Sequence, residues 1–171
     1  MKHHSPIAAE AVPLESGSTY PEPFNSRIDG SSWRALGDQF GVTQFGFNLE
    51  VLGPGGQSSI RHWHTLSDEF IYMLQGDLIL RVNEGEFALA PGMCVGFKAG
   101  DRNAHHLVNR GTTAATFIVV GSRVAGDNTF YPDDDLAWLR TESGRVAARK
   151  NGQPYRDSDL LGRVISPSNG Q

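Results

Sequence analysis

The six histidines are unevenly placed: His3 and His4 stand near the start, and the others form two close pairs, His62 with His64 and His105 with His106. Residues two apart on a strand share a face, with Cα atoms roughly 6.5 Å apart, so His62 and His64 can aim both imidazoles at one ion. The segment Thr65-Leu66-Ser67-Asp68 then reads as a turn that reverses the chain. Glu69 opens the returning strand and can bring a carboxylate beside the two rings as a third ligand. Two imidazoles and a carboxylate buried on an inner face without an ion would leave polar groups in need of partners, so the three together predict a metal site. Neighbours on a strand face opposite ways, so only one of His105 and His106 can add a fourth ligand. Three histidines and one carboxylate leave coordination positions open on a metal that prefers six, and a small molecule can then bind the ion directly. Zinc, iron, manganese and nickel all accept such ligands, so one divalent transition metal per chain is expected.

These side chains need strands to carry them. Residues 42–122 consist of short runs rich in strand-forming residues, among them QFGFNLEVL, EFIYMLQ, DLILRVN and ATFIVVGS. Glycine-containing turns break the runs at a spacing of roughly 8 to 12 residues, the rhythm of a sandwich or barrel. No interval has room for a crossover helix, so the strands are antiparallel and close into a double-sheet barrel. Phe45, Phe47, Leu49 and Val51 fall on one face of their strand, and Gln44, Gly46, Asn48 and Glu50 on the other. The run EFIYMLQ is apolar on both faces, so Phe70, Tyr72 and Leu74 predict an outer surface covered by a second copy of the chain. In such a homodimer the N-terminal arm could pair with the partner's sheet. If the ligands point inward, then Ile60, Ile71, Met73 and Leu107 do too, which predicts a mostly apolar pocket for a small organic molecule. Few inward arginines or lysines are evident, with Arg61 and Arg81 at most on the rim, so a phosphorylated or multiply anionic substrate is disfavoured. Trp63 and Tyr72 are out of phase with the ligands and read as outer-face packing, and Cys94 reads as a core thiol.

The barrel has flanks of different composition. Residues 1–41, rich in Pro, Ser, Gly and Glu, read as an extended arm. Residues 123–171 read as a C-terminal extension packing on the barrel, with Asp133–Asp135 starting a short capped helix or turn ahead of Leu136, Trp138 and Leu139. The last six residues read as frayed.

Gly56, His62, His64, Glu69 and Gly76 reproduce in full the spacing Gly-x5-His-x-His-x4-Glu-x6-Gly, and on these residues the chain resembles the cupin superfamily. The superfamily's second motif is matched less closely. Gly92 and Gly100 are in place, Lys98 stands where a proline is usual, and two extra residues precede the histidine. The ending His-x3-Asn selects His105 with Asn109, so the resemblance implies His62, His64, Glu69 and His105 as metal ligands, with His106 the second choice and Asn109 counted with the pocket. It also implies an all-β double-stranded β-helix, the jelly-roll barrel, over about residues 42–122. Cupins include oxygenases, isomerases, lyases and non-catalytic sugar-binding sensors. The resemblance thus implies a metal-dependent oxygenase or an isomerase or lyase, with Glu69 as base if it leaves the metal, against a ligand-binding or sensor module or a barrel with a vestigial site.

Composition bounds these readings. The 171 residues, 39% hydrophobic and 20% charged, amount to one domain. A formal net charge of −4 offers no electrostatic footprint for nucleic acid. No stretch approaches the roughly 20 apolar residues of a membrane span, and the first thirty residues lack the apolar core of a signal peptide. A single cysteine cannot form an internal disulfide, and together these features predict a cytoplasmic protein.

Overall fold

Antiparallel pairing runs through three sheets in the computed structural model, which describes residues 5–142 and 144–156. The strands are β1 (Glu15–Ser16), β2 (Ser31–Ala35), β3 (Phe45–Leu52), β4 (Trp63–His64), β5 (Glu69–Gln75), β6 (Leu78–Val82) and β7 (Gly85–Leu89). They continue with β8 (Cys94–Phe97), β9 (His106–Val108), β10 (Ala115–Ser122), β11 (Thr129–Tyr131), β12 (Leu136–Thr141) and β13 (Gly144–Ala148). The largest sheet has the order β1-β2-β3-β10-β5-β8, and β7-β6-β9 and β13-β12-β11-β4 form the others. Among the described residues the only α-helical segment is the single turn α1 (Leu36–Gln39). The all-β barrel is as expected. Gly76 shows why turn residues matter here: its φ is +73°, and an added Cβ would lie 2.9 Å from the Cα of Ala115.

Both flanks differ from the sequence reading. The arm extends the chain's own sheet rather than a partner's, because β2 pairs with β3 from Ser31↔Leu52 to Ala35↔Asn48. The described part of the extension is a run of strands, and β11 pairs with β4 through Thr129↔His64 and Phe130↔Trp63. No helix starts at Asp133–Asp135. That triplet makes the turn between β11 and β12, and its carboxylates pair with Arg61, Arg27 and Arg149 at 2.7, 2.6 and 3.3 Å. Residues 157–171, including the six read as frayed, lie outside the described residues.

Registers across the large sheet align inward-facing side chains in rows, since directly opposed residues share a face. From one end these are Gly46–Gly121–Glu69–Phe97, then Asn48–Val119–Ile71–Val95, then Glu50–Phe117–Met73, and finally Leu52–Ala115. The last rows merge with Leu78, Leu80, Leu89 and Leu107 into one buried cluster. Burial of each such side chain stabilises the fold by about 1.5–3 kcal/mol. A second cluster, Phe24, Ile60, Tyr131, Leu136, Ala147 and Tyr155, joins the arm to the extension. Both flanks are therefore built into the core.

Candidate functional site

His62 and His105 face each other across an isolated antiparallel bridge, with the amide of His62 donating to the carbonyl of His105 at 3.1 Å and the reverse bond at 2.8 Å. Their rings lie 4.8 Å apart, centre to centre. Glu69 enters from the start of β5. Its Oε1 lies 3.1 Å from His105 Nε2, and its Oε2 lies 3.9 and 3.8 Å from Nε2 of His62 and His64. Ligand atoms of His62, Glu69 and His105 all fall within 4.8 Å of one another. His64 stands at the edge of this triad, within 3.8 Å of Glu69 alone. His106 lies on the other face of its strand, its Nδ1 donating to the Ser59 carbonyl at 3.0 Å.

The outer hydrogen bonds assign the tautomers. His62 Nδ1 is 2.9 Å from the Ile60 carbonyl, which can only accept, so Nδ1 carries a proton. His64 Nδ1 likewise donates to Asp127 Oδ2 at 2.6 Å. Burial lowers the His64 pKa and His62 adds to this, against the pull of Asp127, so the ring is neutral at pH 7. Burial pushes the Glu69 carboxyl up, but hydrogen bonds from His105 and His62 outweigh it and hold the group well below the usual carboxylate range. Glu69 thus presents an ionised carboxylate to the inner nitrogens of three imidazoles, a donor set that a cation suits. The donor set, two to three imidazole nitrogens and one carboxylate, fits a divalent transition metal. His105 is held differently, stacked on Phe97 with ring centres 3.4 Å apart and planes 5° from parallel, its Nδ1 buried without a hydrogen-bond partner among the described residues.

Asp127 was not visible in the sequence. Besides His64 it accepts hydrogen bonds from the Leu66 and Ser67 amides and the Thr65 hydroxyl, at 2.8, 3.3 and 3.1 Å. One carboxylate thus ties down the turn before Glu69 and orients a ring of the cluster. Its only sequence signal is a Gly-Asp-Asn turn far from either motif.

A cavity of about 860 Å³ opens beside the cluster, lined by His64 and Glu69 with Asn48, Glu50, Asp68, Gly121 and Asp127. Arg123, Arg140 and Arg145 also line it. The expected apolar pocket is elsewhere: Ile71, Met73 and Leu107 fill the barrel's closed half, and Ile60 belongs to the second core cluster. Asn109 is wholly buried and structural, donating to the carbonyls of Leu52 and Thr113 at 2.7 and 2.9 Å. Strand phase separates inside from outside but carries no information about depth, which is why these residues face inward without reaching the cavity. The expectation of few inward cations fails because Arg140 and Arg145 come from the extension. Arg61 instead holds Asp133 through two bonds. Cys94 is exposed rather than in the core, and Trp63 stacks on Phe130 at 5.1 Å. Glu50, whose carboxyl is pushed up to about 7 by burial and then by the charge of Glu69, is a titratable group that the sequence reading placed only as a polar strand position.

Residues 48–121 match the cupin domain family. The tetracenomycin polyketide synthase protein TcmJ of Streptomyces glaucescens is 33% identical over 136 residues, 78% of this chain and 83% of that protein. The chain is a cupin. A crystal structure from Silicibacter pomeroyi, described as a sugar phosphate isomerase from a cupin superfamily, is 39% identical to this cupin with a TM-score of 0.85, covering 91% of this chain and 99% of that one. The polyketide cyclase RemF of Streptomyces resistomycificus shares the fold at 20% identity, with a TM-score of 0.58 over 70% of this cupin and 80% of its own chain.

Proposed function

We propose that this cupin is a metal-dependent isomerase or lyase that moves a proton on a small organic carbonyl compound bound in the cavity. His62, His64, Glu69 and His105 would hold the ion, which when bound polarises a carbonyl or enolate oxygen of the substrate. The observation that carries the reading is Glu50. It is a second, half-buried carboxyl lining the same cavity, it is separate from the ligand set, and its pKa of about 7 suits proton transfer near neutral pH. Glu69, the base first considered, is ionised and bonded to His105, which suits a ligand better. The Silicibacter pomeroyi relative, described as a sugar phosphate isomerase, supports the isomerase reading.

The test follows hydrogen exchange from D2O into hydroxy-aldehydes and hydroxy-ketones by NMR with metal-loaded protein. Glu50→Gln should abolish exchange while metal analysis shows the ion retained, and exchange at the wild-type rate would overturn the assignment. The outer face of the large sheet, where Phe45, Phe70, Tyr72 and Leu74 are 39–44% exposed, supports a homodimer joined there. Light scattering should give twice the chain mass, and a monomer at micromolar concentration would count against it.

A further inference from the structure

We propose that Arg140 and Arg145 form an anion-binding subsite in the cavity wall, so that the substrate carries a carboxylate or phosphate group in addition to its reacting carbonyl. The inference rests on the reading of this cavity as the substrate site.

The two arginines are directly opposed in the β12–β13 register, and both line the cavity. Like charges opposed across strands destabilise a hairpin, so the pair calls for a counter-charge. None is present among the described residues. Arg27, Arg61, Arg110, Arg123 and Arg149 each reach a carboxylate within 3.3 Å, whereas among the described residues neither Arg140 nor Arg145 has one. Of the four acids of the cavity, Glu50 keeps its proton up to about pH 7 and the other three are engaged elsewhere. Asp127 serves His64 and two amides, Asp68 accepts the Ala99 amide at 2.8 Å, and Glu69 lies among the histidines. Arg123, the third cation of the wall, is held by Asp38 at 2.6 Å. Below pH 7 the unengaged charge in the cavity is thus cationic, in a chain whose net charge is −4.

Arg145 is also fixed in place. Its guanidinium lies over the Trp138 ring at 4.7 Å, and one Nη donates to Thr129 Oγ1 at 3.0 Å. Thr129 Oγ1 is in turn 3.3 Å from His64 Nδ1. An oxyanion on Arg145 would therefore sit within a few hydrogen-bond lengths of the imidazole cluster, a span that a small molecule can bridge. The planar guanidinium keeps its remaining donors for two oxygens at once, the geometry suited to carboxylate or phosphate.

Titration calorimetry with inorganic phosphate and, separately, with acetate tests the subsite on chelator-treated, metal-free protein. Wild type should bind at least one of the two, and the tighter one identifies the group. Arg140→Gln and Arg145→Gln should each weaken binding at least tenfold, with Arg149→Gln as the unchanged surface control. Arg145→Gln also loses its bond to Thr129, so its folding needs a circular-dichroism check. Among the described residues the Arg140 side chain makes no hydrogen bond, its amide being held by Asn128 at 2.7 Å, so that variant keeps the test clean. Undetectable binding of both anions, or wild-type affinity in Arg140→Gln, would overturn the inference. Anion binding that persists in protein without turnover on any carbonyl substrate would leave the subsite standing and remove the enzymatic reading instead.

Discussion

Two halves of one barrel interior are built by the same strands and filled in opposite ways. Along β3 the inward positions run Leu52, Glu50, Asn48, Gly46, and along β10 they run Ala115, Phe117, Val119, Gly121. The closed half is a continuous hydrocarbon cluster around Leu52, Met73, Leu107 and Phe117. Glycines clear space in the open half, and carboxylates and imidazoles occupy its walls. The difference teaches a division of labour: the closed half supplies the stability that lets the open half keep buried charge, which destabilises the fold wherever it is not paired.

The contrast can be broken most forcefully from the closed side. Phe117→Ala should destabilise the protein by about 3–5 kcal/mol in urea unfolding. A loss no larger than that of Val119→Ala, one row nearer the cavity, would erase the distinction.

Glu50, at the border between the halves, should show its strain through pH. Its folded-state pKa of about 7 lies above the roughly 4.5 of a free glutamate, so the folded state holds the proton more tightly over that interval. Its contribution to stability is full below pH 4.5 and falls as pH rises through 7. Between pH 5 and 8 metal-free wild type should lose about 2–3 kcal/mol relative to Glu50→Gln. Parallel pH curves for the two proteins would mean that Glu50 is not held in this environment.

The smallest effect belongs to Asp127, which orients a ring without joining the cluster. Asp127→Asn should weaken metal affinity about 10–100-fold, roughly 1.4–2.7 kcal/mol, while apo stability moves less than with Phe117→Ala. Unchanged affinity in a metal-competition titration would show that His64 needs no outer partner.

Much of the fold and part of the site were legible from local patterns. His62, His64 and Glu69 are neighbours in sequence because a strand, a turn and a strand bring them together, and such spacing survives in a linear reading. His105 needed the second motif, since alternation alone left it level with His106. Asp127, Arg140 and Arg145 were out of reach because they approach the cluster only through the pairing of β11 with β4 and β12, a contact between segments more than sixty residues apart for Asp127 and His64. Asp133–Asp135 left helix start and turn open because aspartates suit both, and three arginines fix the turn here. On β3 the alternation was correct, but the polar face is the inner one, which no period can reveal.

The pairing of Thr129 with His64 bears on how such proteins diversify. The segment that matches the family, residues 48–121, carries His62, Glu69 and His105, whereas Asp127, Arg140 and Arg145 lie beyond it. The candidate metal ligands and one wall of the cavity are thus encoded in separable stretches of one chain. A graft of residues 123–148 between cupins would carry one side of the cavity with it, making this hairpin-bearing stretch a cassette through which ligand preference can drift while the barrel's inherited motif stays constant.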